Sequence, residues 1–99
     1  MDGITLLRKA QLKGTAYFEF ALRDAHWNPD SVYLSLDDFD RIAPIFSEHL
    51  KEFNYFGLNP ITRQDWEQLL KDLSMHVPQL ADWLRSQLPS QPIIYLMGV

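Results

Sequence analysis

Three kinds of side chain in this 99-residue chain could do chemistry, and each lacks the company that the chemistry needs. His26, His49 and His76 are the metal-binding and acid–base candidates. His49 and Glu52, three apart, would share a helix face and suit two metal ligands, but nothing in the sequence supplies a third. The reading they favour is histidines that are solvated or locally bonded. Six serines are possible nucleophiles, yet none sits in a Gly-x-Ser-x-Gly elbow and no base is spaced to serve one. Four unclustered glycines exclude a phosphate-cradling loop of the usual type, and zero cysteines exclude disulfides and thiolate metal sites. That leaves the carboxylates Asp37, Asp38 and Asp40. Acid–base catalysis would need one of them buried or pKa-shifted in a cleft. At the start of a helix they more simply serve the helix dipole and solvent, or form an acidic patch for a partner. No catalytic, cofactor-binding or metal residue is assigned, and the chain reads as a non-enzyme.

The charge is unevenly spread. Residues 1–34 balance four bases with four acids, and residues 73–99 balance Arg85 with Asp82. Residues 35–72 hold four bases against eight acids, so the whole net charge of −4 falls there. Nucleic acid is disfavoured as a direct ligand, because phosphate binding is built on clustered lysine and arginine. Hydrophobic residues at 46% and aromatics at 13% are enough for a core, which argues for one domain over residues 1–99. No run approaches the roughly 20 apolar residues of a membrane span, and the N-terminus lacks a signal-peptide layout. The expectation is a soluble, cytoplasmic protein.

The elements that must position these residues are an α+β set: a small sheet from an N-terminal hairpin and a C-terminal strand, with about three helices packed on one face. From Ala16 to Arg23 apolar residues alternate with others, which favours a strand over the helical stripe that also fits, and Ile4–Gln11 would be its hairpin partner. Asn28-Pro29-Asp30-Ser31 is a turn, Trp27 before it is expected to lie over the core, and Val32–Leu34 is a short strand. Ser35 caps a helix whose buried stripe is Phe39, Ile42, Phe46, Leu50 and Phe53. Pro44 inside that pattern predicts a kink or a restart. On the outer side Asp37 can pair with Arg41, while Glu48 and Glu52 repel mildly. In the connector 54–60, Gly57 is placed to take a positive φ and stop the helix. Of Tyr55 and Phe56, one is expected inside and the other free as an interface anchor. Thr62 then caps a helix with Asp65 as a capping-box-like partner, Ile61 and Trp66 as a hydrophobic staple, and Leu69, Leu70, Leu73 and Val77 inward. Pro78 opens a third helix with Leu80, Trp83, Leu84 and Leu88 on one face, and Ile93–Met97 is a buried strand.

Residues 28–73 carry a family likeness. NPDSVYLSLDDFDRIAPIF followed by FNYFGLNPITRQDWEQLLKDL resembles small immunity proteins of bacterial contact-dependent growth inhibition and related polymorphic toxin systems. The similar features are the Asn-Pro-Asp turn before Tyr-Leu-Ser, an acidic helix with inward Phe, the aromatic connector, and a capped helix carrying Trp and Leu pairs. The resemblance implies a protein that binds and neutralises a cognate toxin, commonly a nuclease, and it transfers no catalytic residue. A nuclease needs a basic cleft, which an acidic surface complements and can occlude. The toxin-binding candidates are therefore the acidic helix face and the connector: Asp37, Asp40, Glu48, Glu52 and Tyr55. The alternative is a small adaptor or regulatory subunit acting through protein–protein or homo-oligomeric contacts.

Overall fold

The computed structural model describes residues 4–14 and 16–98. It is an α+β fold with the chain order β1 (Tyr17–Ala21), β2 (Val32–Ser35), α1 (Leu36–Asp40), α2 (Ala43–His49), β3 (Leu58–Thr62), α3 (Arg63–His76), α4 (Pro78–Gln87) and β4 (Ile93–Met97). The four strands form one antiparallel sheet in the order β2-β1-β4-β3. Alternation along each strand sends Phe18, Phe20, Val32, Leu34, Ile61, Ile94 and Leu96 to one face, where the helices cover them.

Pro44 restarts the helix. It sits in the first turn of α2, so the predicted single helix becomes two, divided at Arg41 and Ile42. Ser35 and Thr62 cap as read: Ser35 Oγ accepts from the Asp38 amide and Thr62 Oγ1 from the Asp65 amide, each at 3.2 Å. Trp66 is fully buried, and its Nε1 donates to the Ile94 carbonyl at 3.1 Å, tying α3 to the sheet. The rings of Phe18 and Phe39 stack at 3.8 Å, and Phe20 and Phe46 meet Trp66 at 6.1 and 5.9 Å. In α4 the buried face is Leu80, Ala81 and Leu84, with Trp83 only half-buried.

Several expectations are corrected. Ile4–Gln11 is not a hairpin strand: it touches β2 through one bridge, Leu7 to Tyr33, and then turns at Lys9–Gln11. The Gln11 side chain accepts from the Arg8 amide at 2.8 Å, so this local bond replaces further ladder bonds. The partner of β1 is β2, reached through the loop 22–31. The first helical stripe also ends early. Leu50 is extended (φ −111°, ψ 125°), so α2 stops at His49 and not at Gly57. β3 begins within the connector and runs on to the Thr62 cap, and its Asn59-Pro60 pair reads as loop. Among the described residues no helix is long and apolar enough to cross a membrane.

Candidate protein-binding surface

The acidic stretch folds into α1, α2, the connector, β3 and the first turns of α3, and these elements set what each carboxylate can reach. Asp38 is drawn inward: it accepts from the Thr5 amide at 3.1 Å and lies 3.9 Å from Arg41. Arg41 thus pairs with Asp38, in place of the Asp37 partner expected from spacing. Asp37 and Asp40 stay exposed in α1, and Glu48 is exposed on α2. Glu52 follows the helix end in a turn, so the helical spacing between Glu48 and Glu52 is not realised. The same early stop takes His49 and Glu52 off a shared helix face; His49 Nε2 instead lies 3.4 Å from Asp72. Among the described residues no three His, Asp or Glu side chains gather as a metal site.

Asp40 and Tyr55 are brought together, with the Tyr55 hydroxyl donating to the Asp40 carboxylate. That bond to an anion, followed by partial burial and the Asp40 charge, raises the Tyr55 pKa above its ordinary value. The Tyr55 ring packs edge-on against Phe18 at 5.0 Å, which makes it the inward member of the aromatic pair. Phe56 is the outward one. It is 80% exposed and touches Tyr55 edge-on at 4.9 Å.

Phe56 is held out by a compact polar knot. Asn59, only 5% exposed, donates through Nδ2 to the carbonyls of Asn54 (2.8 Å) and Leu96 (3.1 Å) and accepts from the Asn54 amide at 2.6 Å. Asn54 Oδ1 in turn accepts from the Phe56 amide at 3.1 Å. Gly57 serves this knot by size and not by a left-handed φ, because a Cβ there would collide with the side-chain Nδ2 of Asn54 unless that side chain moved. Gly98 is needed likewise: a Cβ would strike the Tyr55 carbonyl oxygen. Beside the knot, an open groove of about 670 Å³ runs between His49–Asn54 and β3, with Glu52, Leu58, Pro60 and Asp65 on its walls.

No protein-family model, curated protein or solved structure matches this chain. The surface is accordingly judged on its own chemistry. Exposed acidic side chains on α1, α2 and the turn after it share one segment with an exposed aromatic, beside a groove with both apolar and acidic walls; such a surface suits protein recognition.

A second cluster has catalytic residue types in a structural arrangement. Glu19 is 1% exposed on the sheet face away from the helices. Its Oε1 accepts from the Trp27 amide at 2.7 Å and lies 3.1 Å from His26 Nδ1. Its Oε2 accepts from Ser31 Oγ (2.6 Å), the Asn28 amide (3.1 Å), Asn28 Nδ2 (3.0 Å) and the Tyr33 hydroxyl (3.2 Å). Burial alone would raise the Glu19 pKa, but the bonds from Ser31, Trp27 and Asn28 outweigh it and hold the carboxyl below its usual value. Burial, then the Glu19 charge, pushes the Tyr33 hydroxyl well above its own. Ser31 and Tyr33 are fully buried, so a substrate cannot reach them. The cluster anchors the loop 22–31 to the sheet, with Trp27 in a left-handed backbone (φ 65°) stacked on Tyr33 at 5.9 Å. Arg23 and Asp30 close the loop with two bonds of 2.8 and 2.9 Å. Trp27 thus covers this cluster and not the helix-side core.

Sequence reasoning missed Asn59, Leu58 and the exposure of Phe56 over Tyr55. The Asn-x-x-Gly-x-Asn spacing from Asn54 to Asn59 was the available signal, since Asn and Gly favour tight side chain-to-backbone turns.

Proposed function

We propose that this protein is a non-enzymatic immunity protein: it binds a cognate toxin in the producing cell's cytoplasm and neutralises it by covering a basic surface, such as a nuclease's active-site cleft. The observation that carries this reading is the confinement of the whole net charge of −4 to residues 35–72, the segment that also presents Phe56. Acidic side chains speed the approach to a basic cleft and disfavour other acidic partners. Phe56 supplies the apolar anchor that charge alone lacks. Asp37, Asp40, Glu48 and Glu52 are the charged rim, while Tyr55 backs Phe56 and braces Asp40. The likeness of residues 28–73 to immunity proteins of contact-dependent growth inhibition agrees with this chemistry.

The test is co-expression with the product of the adjacent reading frame in a growth assay, followed by purification on a tag carried by the toxin domain. Rescue of growth together with a stable complex is the expected result. A toxic neighbour that this protein neither binds nor relieves would sink the proposal.

A further inference from the structure

β3 closes the sheet on one side, and its hydrogen-bonding parity identifies which groups remain free. The bonds from Gly98 N to Gly57 O (3.2 Å) and from Arg63 N to Pro92 O (2.9 Å) flank the β3–β4 ladder. Odd-numbered residues of β3 therefore turn their backbone groups toward β4, and Leu58, Pro60 and Thr62 turn theirs outward. This parity is why a proline is tolerated in mid-strand. Among the described residues no strand pairs with the outer edge.

The groove lies against that edge. Along it the strand offers the Leu58 N–H and C=O, the Pro60 C=O and the Thr62 N–H. Leu58, 45% exposed, and Pro60 give the groove an apolar wall, and Glu52 and Asp65 give it charge. Lys51 also lines it, but past His49 the surface continues with Glu67 and Asp72 against Lys71, so the balance stays acidic. A second copy of this chain is a poor occupant. It would bring the same missing proline donor and would set Glu52 and Asp65 near their own duplicates.

We infer that this groove binds an extended, basic segment of the protein partner, added to the sheet beside β3 as a fifth strand. Backbone bonds to Leu58, Pro60 and Thr62 hold the segment, while Glu52 and Asp65 select lysine or arginine side chains. The inference rests on the proposed function only for the partner's basic charge.

The probe is a blocked decapeptide alternating Lys and Val, titrated into the full-length protein, with an alternating Glu and Val peptide as control. Saturable binding of the Lys peptide is expected to slow hydrogen exchange at the Leu58 and Thr62 amides by about tenfold or more. The Glu peptide is expected to leave them unchanged. Neutralising both acids with Glu52→Gln and Asp65→Asn should weaken binding by roughly three- to tenfold. Leu58→Pro removes an outward donor without touching the β4 ladder and should also weaken binding. The inference is overturned by no binding, by equal binding of both peptides, or by binding that leaves the two amides unprotected. Growth rescue that persists alongside any of these failures would leave neutralisation standing. A failure of rescue with the amides protected would sink neutralisation alone.

Discussion

Replacing Glu19 by Gln would turn an amide NH2 toward donors that now share a carboxylate, leaving some of the Trp27, Asn28, Ser31 and Tyr33 groups unpaired. The expected cost is about 2–4 kcal/mol, read from urea unfolding. Because the folded pKa of Glu19 is depressed, its contribution is present at neutral pH and is lost as pH falls below about 4 and through the folded value. Unfolding measured against pH should therefore show an acid limb that is shallower in Glu19→Gln. Phe56 is the opposite case. With the ring 80% exposed, Phe56→Ala should leave the thermal midpoint unchanged yet weaken the proposed toxin complex by about 2 kcal/mol or more, measured by calorimetry. The sequence assigned Glu19 to an outward strand position, and by alternation that is right. What it could not reveal was the cover: Glu19's partners lie seven to twelve residues away on a loop that folds back over the sheet, and fourteen away on β2.

Elements with strong local signals were legible before any coordinates. Ser35 and Thr62 cap helices, Pro44 restarts one, and the stripe of Trp66, Leu69, Leu70 and Leu73 faces the core. β3 was hidden because Asn59-Pro60 is turn chemistry, and only a position at the sheet edge, set by the tertiary pairing with β4, lets proline sit there. The Ile4–Gln11 segment misled for a converse reason: its apolar residues suit a strand, but Arg8 and Gln11 close a local turn first. Pro60 then has a second role, since it denies the open edge a donor. Pro60→Val would restore that N–H, and the variant is expected to self-associate at concentrations where the parent does not, as seen by sedimentation velocity.

At the scale of the whole molecule, the fold keeps its core and its charge apart. The aromatic residues Phe18, Phe20, Phe39, Phe46 and Trp66 join the helices to one sheet face, and their helix-bearing segment carries the surplus acid outward. Such segregation predicts a strong salt dependence of association, because exposed charges are screened beyond a Debye length of about 8 Å at physiological ionic strength. The surface that could bind was legible as charge, whereas its aromatic anchor and groove depend on the Asn54–Asn59 knot and on where β3 lies. The most direct measurement is the affinity of the proposed toxin partner for a variant with Asp37, Asp40, Glu48 and Glu52 all changed to Lys, alongside the thermal midpoint of the variant. Binding at least about tenfold weaker by a variant that still unfolds in one cooperative transition, with a midpoint lowered at most by the lost Tyr55–Asp40 bond and helix-dipole charge, is the expected result. Undiminished affinity of the folded variant would contradict the assignment of this acidic surface to toxin binding.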